Sequence, residues 1–181
     1  MSQCTSEEVQ RMLPLVNEQR RIQALKYKHT FGQYCCLKSW LILKELIDQE
    51  QKTMCDFSYN EYGKPFIQGG PYFSISHCRE GIAVAVDDAP IGIDIESIRH
   101  ADEALIVRTM NKEEQMGMDD RIFTCLWTQK EAIVKAKGIG IVSFEQLQDV
   151  RCQNSEFRIQ TVEKEKYIYS IAYGKLHCIS A

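Results

Sequence analysis

"PIGIDIESI", residues 90–98, decides how this chain is read. Successive side chains of a β-strand point to opposite faces, so Ile91, Ile93 and Ile95 share one face while Gly92, Asp94 and Glu96 share the other. One face reads as core and the other as carboxylate. Residues two apart lie about 7 Å apart along a strand, close enough for both carboxylates to converge on one cation. Gly92 is expected to leave open space beside them. A strand facing solvent would show the same alternation, so the rest of the chain has to choose between the two.

The 181 residues suffice for one sizeable core or two small lobes. A hydrophobic fraction of 44% and a charged fraction of 26% are those of a folded globular protein. The net charge of −3 argues against a nucleic-acid binder that uses its whole surface. No apolar run approaches the length of a membrane span, and MSQCTSEEVQ lacks the basic-then-apolar pattern of a secretory leader, so a cytoplasmic protein without a membrane segment is expected. The eight cysteines form no C-x-x-C pair, and several lie in apolar runs such as "YCCLKSWLIL" at 34–43. Reduced, structural thiols are expected, with Cys78 beside His77 the one to watch.

Residues 16–30 and 31–48 read as helices, the second apolar around most of its circumference. "FSYNEYGKPFIQGGPYFSISH" at 57–77 reads as short strands punctuated by Gly63, Pro65, Gly69, Gly70 and Pro71. "GIAVAV" and "IGIDI" follow, and the compact turn Asp87–Pro90 between them predicts an antiparallel hairpin. Helical periodicity returns from 100 to 138, then strands in "FRIQTV", "YIYSIAY" and "LHCIS". The reading is α+β, in two similar lobes of residues 1–90 and 91–181.

"LWTQKEAIVKAKGIG" at 126–140 is an amphipathic helix with Trp127, Glu131 and Lys135 on successive turns of one face and Ile122, Leu126 and Ile133 opposite. Glu131 and Lys135 are either an i,i+4 surface pair or, read with D-x-E upstream, something more. In the second reading Glu131 is a third oxygen ligand, and Lys130 and Lys135 suit an anionic substrate held on the same ion. Three carboxylates favour Mg²⁺, a hard cation that prefers oxygen. Zinc would want Cys or His at ligand spacing, which the four histidines do not offer. Ser76 and His77, ending the strand "YFSIS", stand as a structural pair or as hydrogen-bond donors to a phosphate oxygen. The chain has no G-x-S-x-G elbow, which disfavours a serine hydrolase, and no G-x-x-x-x-G-K-[ST] phosphate loop.

Four stretches in order, "YGKP" at 62–65, "FSISH" at 73–77, "IGIDIE" at 91–96 and "WTQKEAIVKAKG" at 127–138, together resemble the 4′-phosphopantetheinyl transferases, specifically the larger two-lobed class that activates peptide synthetases and acyl carriers. The resemblance spans roughly residues 18–140, and the mid-chain position of "GIDIE" matches a pseudo-two-fold monomer with the active site between its lobes. It implies transfer of the phosphopantetheine arm of coenzyme A to a serine of an acyl or peptidyl carrier protein, leaving adenosine 3′,5′-bisphosphate. The attacking hydroxyl then belongs to the partner, so the chain needs no activated nucleophile.

Carried over by residue, the resemblance makes Asp94, Glu96 and Glu131 the magnesium ligands and Lys135 a contact to the pyrophosphate that assists the leaving group. It sets Ser76 and His77 near the 3′-phosphate, with Gly63, Lys64 and Pro65 beside the adenine and its phosphates. Glu114 matches the position of a general base for the carrier serine, with Glu113 one residue away. Arg21 and Lys28 offer basic groups to the 3′-phosphate, while Gln33 stands where an arginine is often found, and Lys130 adds a further cation. Arg99, Arg108, Lys112 and Arg121 are candidate contacts for an acidic carrier.

Overall fold

A computed structural model of the chain describes residues 4–50, 57–141 and 143–174. Three helices open it: α1 (Ser6–Met12), α2 (Glu18–Leu25) and α3 (Thr30–Gln49). Thr5 and Asn17 begin the first two, each side-chain oxygen accepting from a backbone N–H of the first turn. The second helix is shorter than the 16–30 expected, because the N–H groups of Lys26 and Tyr27 bond three residues back to Gln23 and Ala24, tightening the last turn and ending it. Along α3, Leu37, Trp40, Leu43 and Ile47 recur at helical spacing and are buried against Val9, Met12 and Ala24. Each such side chain contributes about 1.5–3 kcal/mol on burial.

A small ribbon follows, β1 (Phe57–Tyr59) with β2 (Pro65–Ile67), then the antiparallel pair β3 (Tyr72–His77) and β4 (Ile82–Asp87). The second half contributes β5 (Ile91–Ser97), α4 (Glu103–Thr109), α5 (Asp120–Lys137), a 3-10 turn at Glu145–Leu147, β6 (Phe157–Glu163) and β7 (Tyr167–Gly174). Its sheet has the order β5-β7-β6, all antiparallel. A second apolar cluster, centred on Met110, Phe123, Trp127, Ile133 and Leu147, fills the space around α5. Mixed helix and sheet is thus the architecture; the expected strand at "LHCIS" lies outside the described residues.

The hairpin expected between β4 and β5 does not form. β4 pairs with β3, whereas β5 pairs along its whole length with β7, from Ile91↔Tyr173 to Ser97↔Tyr167. The turn that was to join them is an Asx turn, the Ala89 N–H donating to Asp87 Oδ1 at 3.0 Å, and it carries the chain from one sheet to the other. β5 lies beside β3 without a ladder, and the Ile93 N–H donates instead to Ser74 Oγ at 3.0 Å.

Gly92 does not leave open space. A Cβ there would stand 2.0 Å from the Ala132 carbonyl oxygen and 2.5 Å from the Ala136 nitrogen, so the backbone of α5 lies directly on β5. This contact brings one face of α5 against the carboxylate face of the strand. Asp119 caps the start of α5, accepting from the Ile122 N–H at 2.7 Å, and Gly138 ends it at φ +72°. Of the residues set opposite Glu131, Ile133 is buried and Ile122 exposed; Phe123, Lys130 and Val134 are also buried.

Candidate active site

Asp94 is 3% exposed, so the D-x-E strand is not a solvent face. Its Oδ1 accepts from Ser76 Oγ at 2.8 Å and from Lys135 Nζ at 2.6 Å. Its Oδ2 is buried with no hydrogen-bond partner. An ionised carboxylate with one oxygen unsatisfied in a buried position is costly, and a cation is the group that would satisfy it. Lys135 reaches across to β5 rather than pairing with Glu131 one turn earlier, which disposes of the surface-pair reading for this lysine.

Glu96, two residues along the same face, has its pKa raised by burial and then by the charge of Asp94, with Arg99 and Lys135 opposing. The indole N–H of Trp127 is near enough to favour the charged form of Glu96 yet makes no hydrogen bond of full geometry. Burial, followed by repulsion from Asp94, pushes Glu131 up to about 7; Lys135 opposes this and Glu96 adds to it. The three carboxylates therefore share one electrostatic neighbourhood. Among the described residues, however, no three Asp, Glu, His or Cys side chains are grouped closely enough to form a finished metal cage. The donor set still fits a hard divalent cation: all oxygen, mutually repelling, with an orphaned oxygen at its centre.

A cavity of about 390 Å³ opens beside these groups. Tyr62, Gly63, Lys64 and Pro65 form one wall, and Glu131, Lys135 and the segment Ile139–Ile141 form the other. Lys64 Nζ donates to the Lys135 carbonyl and, at 3.4 Å, to that of Ile91. Burial lowers its pKa, as does the nearby Lys135. Its ammonium thus caps the end of α5 while bordering the cavity. His77 follows Ser76 on β3; burial and Lys135 lower its pKa, opposed by Asp94, so it reads as a neutral imidazole near the same charges.

Not every expected residue joins this group. Lys130 has 0% side-chain exposure, and its ammonium donates to the carbonyls of Thr109 and Leu147 at 2.8 Å, to that of Gln148 at 3.1 Å, and to Glu114 at 2.5 Å. Every donor it has is taken inside the protein, so it is a buried structural cation and not a phosphate contact. Glu114, 7% exposed, also accepts from Arg151 Nη1 at 2.8 Å and from the Asn111 N–H. Its carboxylate is thus bound by Lys130 and Arg151 and does not line the cavity.

Arg21 is exposed, its Nε donating to the Leu13 carbonyl at 3.2 Å, and Lys28 is exposed; neither lines the cavity. The guanidinium that is buried belongs to Arg20, which donates to the Cys36 carbonyl and lies 5.0 Å from the Trp40 ring centroid. The Gln33 amide donates to the Tyr27 carbonyl at 2.9 Å and so holds the turn before α3. Of the candidate carrier contacts, Arg108 pairs with Glu145 and Arg121 with Glu163, while Arg99 and Lys112 are exposed. The cysteines among the described residues are free thiols, Cys78 among them.

Three residues at the site escaped sequence reasoning. Ser74 holds the β5 backbone, Asn60 organises the loop of the first wall, and Arg151 completes the Glu114 network. Only Asn60 carried a signal, as a turn-forming residue three positions before Gly63.

The second half of the chain carries the family likeness. Residues 90–178 match the model of the 4′-phosphopantetheinyl transferase superfamily. The similarity extends to proteins of the Sfp type. The chain is 27% identical over 147 residues to 4′-phosphopantetheinyl transferase psf-1 of Bacillus pumilus, covering 75% of this chain and 63% of that protein. It is 28% identical over 149 residues to 4′-phosphopantetheinyl transferase Sfp of Bacillus subtilis, covering 76% and 66%. The corresponding figures for 4′-phosphopantetheinyl transferase AcpT of Salmonella typhimurium are 34% over 112 residues, 55% and 58%. The chain thus spans less than two thirds of the length of these relatives. No helix among its described residues is long and apolar enough to cross a membrane.

Proposed function

We propose that this chain transfers the 4′-phosphopantetheine group of coenzyme A to a serine of an acyl or peptidyl carrier protein, in a Mg²⁺-dependent reaction that releases adenosine 3′,5′-bisphosphate. The observation that carries the reading is Asp94: one buried oxygen is held by Ser76 and Lys135, and the other is without a partner, beside two further carboxylates and a nucleotide-sized cavity. Asp94, Glu96 and Glu131 would hold the ion, which when bound supplies neutralisation of the pyrophosphate charge. The protein's own part is positioning. Phosphoryl transfer proceeds with little covalent help from an enzyme, so holding the two ends of the reaction in line is the larger task.

Ser76 orients Asp94 through its hydroxyl, leaving Oδ2 free for the cation. Lys135 lies close enough to exchange Asp94 for a phosphate oxygen and so to stabilise the departing bisphosphate. Gly63, Lys64 and Pro65 supply the wall against which the adenine and its phosphates lie, and Lys64 can trade its carbonyl partners for an anion. His77 serves as a neutral hydrogen-bond donor to the 3′-phosphate. Residues 1–90 and 91–181 act as two lobes with the substrate between them, in a cytoplasmic monomer.

Incubation with an apo carrier protein, coenzyme A and Mg²⁺, followed by intact-mass measurement of the carrier, tests the proposal. The carrier gains one phosphopantetheine, and Glu96→Ala or chelation abolishes the gain. Cleavage of coenzyme A with the carrier left unmodified would sink the transfer reading in favour of a hydrolase.

A further inference from the structure

We infer that Asn60 is a positioning residue that sets the width of the nucleotide cleft, through a tie between its two walls; the inference rests on the transferase reading. Asn60 uses both ends of its side chain. Oδ1 accepts from the N–H groups of Tyr62 and Lys64 at 3.0 and 2.8 Å, building the turn that presents Gly63, Lys64 and Pro65. The backbone closes the same turn, the Asn60 N–H donating to the Lys64 carbonyl and the Gly63 N–H to the Asn60 carbonyl. Nδ2 crosses to the other half of the chain and donates to the Gly138 carbonyl at 2.7 Å.

Gly138 is where α5 stops, at φ +72°, and where the chain turns into Ile139–Ile141, which line the opposite wall. The bond therefore joins the tip of one wall to the root of the other. Lys64 makes the neighbouring tie, to the carbonyls of Lys135 and Ile91. Lys64 is charged and faces the cavity, so a bound phosphate exchanges those carbonyl bonds for itself. The amide of Asn60 is neutral and does not line the cavity, so its tie to Gly138 persists and holds the walls at binding distance. A residue in this role affects substrate binding more than the chemical step.

Two full-length variants separate the parts. Asn60→Asp keeps the acceptor that builds the turn but cannot donate to Gly138; Asn60→Ala loses both. Isothermal titration with coenzyme A and with adenosine 3′,5′-bisphosphate gives affinity, the carrier assay at saturating carrier gives KM and kcat, and a thermal melt reports folding. The expected result for Asn60→Asp is a KM and Kd for coenzyme A raised about five- to tenfold, the loss of one hydrogen bond, with kcat within about twofold of wild type. Asn60→Ala raises KM at least as far. Wild-type KM and Kd in Asn60→Asp, or losses that merely follow the folded fraction in both variants, overturn the inference while leaving the transferase reading intact. A wild-type chain that neither binds coenzyme A nor modifies a carrier overturns both.

Discussion

Gly92→Ala is the sharpest test of how the site is assembled. The added methyl would stand 2.0 Å from the Ala132 carbonyl oxygen and 2.5 Å from the Ala136 nitrogen, both atoms of helix backbone that no rotamer can move aside. Ordinary carbon–oxygen contact needs more than about 3 Å, so α5 and β5 must separate by about 1 Å or the strand must buckle. Overpacking of this kind costs about 1–3 kcal/mol, and the stiffer unfolded chain of alanine returns only about 0.4–1 kcal/mol. For a domain of this size a net loss of about 1–2 kcal/mol lowers the melting midpoint by about 2–8 °C. The functional loss should exceed the stability loss. The same displacement lengthens the Lys135–Asp94 bond, now 2.6 Å, and carries Glu131 away from Asp94, and a 1 Å misplacement costs about 10²-fold in rate. Urea denaturation and the carrier-modification assay measure the two effects. A Gly92→Ala protein with wild-type midpoint and rate would refute the claim that direct backbone packing of α5 on β5 builds the site.

Ser76→Ala should leave the fold intact but free Asp94 to rotate, reducing turnover about tenfold or more, measured as kcat in the carrier assay with the melting midpoint as control. Millimolar Mg²⁺ should raise the melting midpoint of the wild-type protein and chelation should reverse this, whereas Asp94→Asn should show neither; equal Mg²⁺ shifts in both proteins would remove the ion from this site. Lys130→Met should cost about 3–5 kcal/mol in urea denaturation by leaving Glu114 short of a counter-charge, and adding Glu114→Gln should recover part of it; a Lys130→Met protein as stable as wild type would mean the pair is not buried as described. Burial pushes the Cys35 thiol up to about 12 from 9.0. An acid whose pKa is raised by folding loses stability as pH rises from the unfolded to the folded value, so this contribution is level below pH 9 and declines between 9 and 12, absent in Cys35→Ala. Native Cys35 should also resist thiol reagents at pH 8 that label exposed Cys152.

Much of the site could be read directly because its residues obey short periods. The two-residue repeat of β5 placed Asp94 and Glu96 on one face, and the 3.6-residue repeat of α5 aligned Trp127, Glu131 and Lys135. The family resemblance added Gly63, Lys64 and Pro65. Lys130 misled for one reason: a charged residue beside a catalytic motif looks the same in sequence whether its head reaches substrate or a buried carbonyl. Lys130 follows Gln129 and precedes Glu131, and on a helix that single step is 100°, enough to turn its ammonium from the cleft into the second apolar cluster. Arg21 and Arg20 differ in the same way.

By itself the sequence determined the alternation of helix and strand, the faces those elements present, and the identity of the acidic groups, since local stereochemistry sets each. Only the tertiary structure decided which strand β5 joins, that Gly92 makes way for a helix rather than an ion, and which of the adjacent charges are buried in pairs. Those outcomes depend on contacts between residues dozens of positions apart, where hydrogen-bond satisfaction and close packing, not periodicity, choose among arrangements that are locally equivalent.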